Sequence, residues 1–183
     1  MDVNIYNTSI PGCLELIPKI CEDERGSFTK TFQQEVFKHN RLETYYTEEY
    51  FSRSKQNVIR GLHFQLPPEE CIKMVYCIDG EVMDVVLDLR VGSPTYGKHE
   101  IFNLNDRLAN ILYIPTGLAH GFYTKSETAT MIYKVSKSYS PVCDAGIRWD
   151  SAEIPWPTKA PTISKRDSEF ISLDDFKSPF IYK

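Results

Sequence analysis

Lys73-Met-Val-Tyr-Cys-Ile-Asp79 and Glu81-Val-Met-Asp-Val-Val-Leu-Asp-Leu89 are two alternating runs joined at Gly80. In an extended chain, successive side chains face opposite sides. Met74, Tyr76 and Ile78 therefore point one way, and Lys73, Val75 and Cys77 the other. Beyond the Asp79-Gly80 turn, Met83, Val85, Leu87 and Leu89 share one face, and Val82, Asp84, Val86 and Asp88 share the opposite one. Gly92-Ser-Pro-Thr95 ends the second run. Working outward, the same pattern predicts strands over 111–114, 122–124 and 130–135, and one short helix over 33–40 with Val36 and Phe37 as its apolar pair. Many short strands with closely spaced turn signals define an all-β sandwich or barrel. The tail from Ser151, richer in proline and charge, is expected to wrap this body.

The chain has 183 residues, 42% hydrophobic and 25% charged, which fits a single domain over 1–183 with a substantial core. Disorder, collagen-like repeats and a disulfide mini-scaffold are excluded by that balance. A net charge of −4 argues against a nucleic-acid binder, which carries a basic surplus, but leaves room for a small anionic ligand. Eleven Tyr, ten Phe and eleven Pro against nine Gly fit aromatic-rich strands joined by stiff loops. Five cysteines, Cys13, Cys21, Cys71, Cys77 and Cys143, form no C-x-x-C pair, so neither a zinc ribbon nor a redox motif is expected. Reduced thiols imply the cytoplasm. No basic and apolar leader opens the chain, and no apolar run reaches the ~18 residues of a membrane span.

Pro115-Thr-Gly-Leu-Ala-His120 fits the P-x-G-x-x-H motif of the cupin superfamily. The fold it resembles is a cupin-type jelly-roll sandwich, here with short helices and an extended C-terminal tail. Metal-binding cupins begin their first motif with H-x-H; this chain has His63-Phe64-Gln65. Lys73 stands where those proteins carry a metal-ligating Glu ahead of a Gly. An ammonium repels a divalent cation and has no free lone pair, so no metal and no cofactor are expected.

The resemblance narrows over 23–167. Asp23-Glu-Arg-Gly-Ser-Phe28, Ser52-Arg-Ser54, Val58-Ile-Arg-Gly-Leu-His-Phe-Gln65, Gly92-Ser-Pro-Thr-Tyr-Gly97, Ile114 to Phe122, Tyr133-Lys134, Gly146-Ile-Arg-Trp-Asp150 and Ser164-Lys-Arg-Asp167 resemble the dTDP-4-dehydrorhamnose 3,5-epimerase family. That resemblance implies a nucleoside-diphosphate-linked 4-keto sugar as substrate. The C4 ketone acidifies the hydrogens at C3 and C5, because either carbanion is delocalised as an enolate. Inversion needs a base on one face, an acid on the other and positive charge at the enolate oxygen. The family match makes His63 the base, Asp167 its carboxylate partner, Lys73 the cation at O4 and Tyr133 the acid. It also implies that Arg25, Phe28, Arg60, His120, Tyr139, Asp144 and Lys165 contact substrate, Arg60 and Arg25 through the diphosphate. In the family, the segment with Arg25 and Phe28 reaches a neighbouring subunit's site, implying a homodimer with exchanged N-terminal strands. His39 and His99 match no motif and read as structural side chains.

The departures gather away from the proton transfers. Lys30 stands where the family has a carboxylate facing the base, Glu48-Glu49-Tyr50 where it has Gln-x-Asn, Ser138 for a tyrosine beside the base, and Asp144 for a Glu. Trp149-Asp-Ser-Ala152 replaces Trp-x-Asp-Pro. A lysine cannot accept from a thymine N–H, so altered base recognition and a nucleotide other than dTDP are expected. Inversion at C3 or C5 alone, a 3,4-ketoisomerase, a metal-dependent oxygenase and a non-catalytic sugar-nucleotide binder are the competing readings.

Overall fold

The computed structural model describes residues 1–183. Its strands are β1 (Val3–Asn7), β2 (Leu14–Pro18), β3 (Ile20–Asp23), β4 (Gly26–Thr29), β5 (Glu48–Lys55), β6 (Ile59–Gln65), β7 (Lys73–Asp79), β8 (Glu81–Asp88), β9 (His99–Asn105), β10 (Ile111–Ile114), β11 (Leu118–Thr124), β12 (Thr128–Val135) and β13 (Asp144–Gly146). Two helices interrupt them, α1 (Gln34–His39) and α2 (Lys165–Ser168). A six-stranded sheet in the order β1-β2-β10-β7-β12-β5 faces a five-stranded sheet in the order β13-β6-β11-β8-β9. All ladders are antiparallel, and the crossovers between sheets make a cupin-type jelly roll. β3 and β4 form a separate hairpin whose residues are nearly all exposed.

The alternation of the opening stretch maps onto this sandwich. Val75 and Cys77 of β7 meet Val82 and Val86 of β8 in the core between the sheets, with Phe102, Leu112, Phe122 and Met131. Met74 and Tyr76 face the other way and pack with Leu16 and Phe37 of α1. Val85, Leu87 and Leu89 line the outer face of the five-stranded sheet. The tail covers that face: Ala152, Ile154 and Phe180 are buried there, with Trp156, Leu173 and Phe176 packed against them. Single bridges Val58–Thr162, Ile147–Ile171 and Val91–Ile181 pin it along its length. Each apolar side chain buried in this way contributes about 1.5–3 kcal/mol.

The turn at Gly80 does more than the sequence implied. β7 and β8 are not a hairpin; the chain changes sheets there. Gly80 has φ +85°, and a Cβ on it would lie 2.1 Å from the Thr128 carbonyl oxygen. The expected strands at 122–124 and 130–135 begin earlier, at Leu118 and Thr128, because pairing with β8 and β5 in their own sheets extends them past their apolar cores.

Candidate active site

A cavity of about 520 Å³ opens between the sheets at one end of the sandwich. The six-stranded sheet supplies Glu48, Tyr50 and Ser52 from β5, Lys73 from β7 and Tyr133 from β12. The other sheet supplies Arg60 and His63 from β6, His120 from β11 and Asp144 from β13. Arg60 and His63 lie an odd number of residues apart, which would put them on opposite faces of a regular strand. A bulge resolves this: β6 pairs His63 with His120 and Arg60 with Phe122, so three steps on one strand match two on the other. Gly61, at φ +139°, absorbs the extra residue, and both side chains reach the cavity.

His63 Nε2 stands 2.9 Å from Asp167 Oδ2. The short helix α2 sets that contact: Ser164 caps it by accepting from the Asp167 N–H at 3.0 Å. Asp167 turns inward and its side chain is only 4% exposed. Burial alone would raise the Asp167 carboxyl, but His63, the Gly61 N–H at 3.0 Å and Ser164 hold it well below the usual carboxylate range. Burial lowers His63, against the pull of Asp167 and with the help of Lys73 and Arg166. At about 100° per residue the helix sends Lys165 outward. Its side chain is 89% exposed and pairs with Glu169 at 3.8 Å, so the expected substrate contact at Lys165 is not where the structure puts it. Arg166 lines the cavity instead.

Lys73 is buried, and its Nζ donates to the His63 carbonyl oxygen at 2.9 Å. Burial lowers its pKa, while Cys71, Asp144 and Asp84 counter that. His120 Nε2 meets both carboxylate oxygens of Asp84, at 3.0 and 2.8 Å. Burial pushes Asp84 up, and His120 and Lys73 hold it back. The Tyr133 hydroxyl is 3.2 Å from Ser52 Oγ, and burial raises the phenol well above its ordinary value. Tyr50, its cross-strand partner, stacks on it with ring centroids 4.9 Å apart. Burial, with Cys71, Glu48 and Asp144 nearby, pushes Tyr50 up to about 12.

At the rim, Arg60 Nε donates to Ser54 Oγ at 2.9 Å, while Asp144 accepts from Arg166 Nη1 at 2.9 Å and lies 3.5 Å from the Tyr139 hydroxyl. Gln65, the amide in place of a second imidazole, stitches loops together: Nε2 donates to the carbonyls of Glu69 and Ser138, and Oε1 accepts from the Ser140 N–H at 2.7 Å. No three His, Cys, Asp or Glu side chains converge as a metal would require. Arg25 and Phe28 do not line the cavity of their own chain. Both sit on the β3–β4 hairpin, Arg25 paired with Asp23 and Phe28 64% exposed.

The sequence reading missed Asp84 and Arg166. A carboxylate in the middle of the apolar run 82–89 was the available signal for the first, and helical phase within Ser164-Lys-Arg-Asp167 for the second. Ser52 and Tyr50 lie in segments the sequence analysis singled out, but that they bond and stack with Tyr133 follows only from the β5–β12 register.

A paired imidazole on one sheet faces a phenol and a buried lysine on the other, a set suited to proton transfer, and the class this defines is a cupin-fold isomerase. The chain matches the family model for dTDP-4-dehydrorhamnose 3,5-epimerase over residues 7–175. It is 39% identical over 182 residues to the dTDP-4-dehydrorhamnose 3,5-epimerase of Shigella flexneri, covering 95% of this chain and 99% of that one. It is 37% identical to the dTDP-4-dehydrorhamnose 3-epimerase of Streptomyces niveus, covering 90% of this chain and 81% of that one. The crystal structure of the Legionella pneumophila dTDP-6-deoxy-D-glucose-3,5-epimerase, in complex with dTDP-4-keto-L-rhamnose, superposes with a TM-score of 0.93 at 33% identity. That match covers 99% of this chain and 100% of the other. The chain belongs to the dTDP-4-dehydrorhamnose 3,5-epimerase family.

Proposed function

We propose that this protein inverts C3 and C5 of a dTDP-linked 4-keto-6-deoxy sugar by way of an enolate. The observation that carries this reading is that one cavity draws His63 from one sheet and Tyr133 from the other. His63 removes the proton from C3 or C5, and the electron pair moves into the ring to make the C4 enolate. Lys73 stabilises the charge growing on O4, in a site dry enough for that interaction to be strong. Tyr133 delivers a proton to the opposite face. Its hydroxyl then regains a proton and His63 releases its own to solvent. Arg60 and Arg166 give the rim the positive charge that a diphosphate needs. The relatives named above act on dTDP-linked sugars, so the expectation of another nucleotide, drawn from Lys30 and Glu48-Glu49-Tyr50, gives way to dTDP.

The assembly that supports this chemistry is a homodimer with exchanged N-terminal strands. An exposed β3–β4 hairpin bearing Arg25 and Phe28, and the free edge of β5 with Phe51 69% exposed, support it. The whole of 1–183 serves as one domain. No helix is long and apolar enough to cross a membrane, and all five cysteines are free, which supports the cytoplasm.

The test is exchange. Incubated in D₂O with dTDP-4-keto-6-deoxy-D-glucose and followed by NMR, the protein incorporates deuterium at both C3 and C5. His63→Ala slows both by about 10²–10⁴-fold, the usual contribution of a general base. Deuterium at one carbon alone corrects the reading to a single-carbon epimerase, and none at either overturns it.

A further inference from the structure

Two groups compete for one nitrogen of the base. His63 Nε2 lies 2.9 Å from Asp167 Oδ2 and 2.9 Å from Arg166 Nη2. A guanidinium only donates, so its hydrogen bond requires a lone pair on Nε2. An ionised carboxylate only accepts, so its hydrogen bond requires an N–H at the same atom. A neutral imidazole satisfies one of the two. Bonded to Arg166, the ring carries its proton on Nδ1, the nitrogen left without a protein partner and free to meet substrate. That tautomer presents an N–H where the reaction needs a lone pair.

We propose that Arg166 is a substrate-displaced latch on His63: in the free enzyme it holds the imidazole in the tautomer that cannot take a carbon-bound proton, and the entering diphosphate draws it away. The inference rests on the epimerase reading above for the identity of that anion. The latched state leaves the Nε2 lone pair facing Asp167 Oδ2 at 2.9 Å, and the guanidinium charge bridging the two groups offsets that contact. Arg166 gives Nη1 to Asp144 at 2.9 Å, Nε to Asp167 Oδ1 at 3.2 Å and Nη2 to His63, while Asp167 also takes the Gly61 N–H. The guanidinium lies over the Phe170 ring, which also meets His63 edge-on. Its side chain is half exposed at the cavity rim, so it can swing.

A diphosphate offers charge and bidentate geometry that a neutral imidazole does not. Once Arg166 turns to it, Nε2 is free to donate to Asp167, and the lone pair appears on Nδ1. The proton on Nδ1 passes to water as another is taken up at Nε2, so the net protonation is unchanged. The other charged groups around His63 are engaged elsewhere. Lys73 from β7 bonds the His63 carbonyl, His120 from β11 bonds Asp84, and Asp144 from β13 holds Arg166 itself.

The chain has four histidines, so long-range ¹⁵N–¹H correlation NMR on ¹⁵N-histidine-labelled protein reads each tautomer directly. His63→Gln assigns the signal, and the pH is set above the ring's titration. The free wild-type protein shows His63 with its proton on Nδ1, and saturating dTDP moves the proton to Nε2. Arg166→Gln shows the Nε2 form without any ligand. Asp144→Asn, which loosens the guanidinium without touching α2, shifts the free protein toward the same form. An Nε2 proton in the free wild-type protein overturns the latch, as does an Nδ1 proton persisting in both variants. If dTDP binds, as read from other resonances, and the tautomer stays fixed, displacement is overturned. If dTDP does not bind while both variants switch, the latch stands and the nucleotide assignment fails.

Discussion

In the proposed mechanism His63, Lys73 and Tyr133 work only in particular charge states, and burial moves each one in a direction that can be followed through a pH profile. Burial lowers His63, so the free base stays unprotonated to lower pH than an ordinary imidazole, and the acid limb of kcat/KM falls below pH 6.5. Burial also lowers Lys73, whose ammonium is lost below its ordinary 10.5. Tyr133 moves the other way and keeps its proton beyond pH 10. The alkaline limb of kcat/KM therefore belongs to Lys73 and falls below pH 10.5. Lys73→Met removes that limb along with most of the rate, whereas Tyr133→Phe leaves the limb of any residual exchange in place; an alkaline limb lost in Tyr133→Phe alone contradicts the assignment. The family pattern in the sequence pointed to these three residues, and the structure brings them to one cavity. Arg166 and Asp84 were not legible there, because what selects them is geometric. Helical phase decides between Lys165 and Arg166, and the β8–β11 register, which places Asp84 opposite Phe122 and beside His120, decides that a carboxylate in an apolar run is a partner for imidazole.

At the scale of elements, the site depends on how closely β6 and β11 approach at the bulge. A Cβ on Gly121 would lie 2.7 Å from the Arg60 carbonyl oxygen and 3.0 Å from Gly61 Cα, and one on Gly61 would lie 2.6 Å from Gly121 Cα. These are backbone atoms, so the strands rather than a side chain must give way. Gly121→Ala is expected to cost about 1–3 kcal/mol, the usual penalty for overpacking. In a chain of this size each kcal/mol lowers Tm by about 2–4 °C. The same change pulls His63 out of register with His120, so kcat falls more than the stability loss explains at a temperature where the variant is folded. Thermal unfolding and steady-state kinetics on one preparation check both parts; an unchanged kcat would show that the site does not need this approach. The strands themselves were readable, since the two faces of 82–89 fall as their alternation requires, one between the sheets and one under the tail. The sheet change at Gly80 was not readable. A glycine between two alternating runs reads the same for a hairpin as for a crossover, and only the partners of β7 and β8, far away in sequence, distinguish them.

At the scale of the whole molecule, Arg25 and Phe28 lie outside the cavity of their own chain, yet the motif that holds them runs with the rest of the family pattern. A hairpin with almost no buried residue is a poor use of chain unless something covers it, and Phe28 is the kind of exposed aromatic that marks a contact. If one protomer's hairpin completes its partner's cavity, defects in Arg25 and His63 belong to different chains of one site. Arg25→Ala and His63→Ala homodimers should then each be nearly inactive, and mixing them through reversible dissociation should restore activity. In a mixed dimer one cavity has both defects and the other has neither. Random pairing makes about half the dimers mixed, so about a quarter of all cavities become intact, because exchange of identical elements keeps each site's composition countable. Activity per site should rise to about that fraction of wild type. If each hairpin instead served its own chain, every cavity in the mixture would still carry one defect, and mixing would restore nothing. The two arrangements differ by a recovered signal rather than a lost one, so a variant that merely folds badly cannot imitate the exchanged dimer.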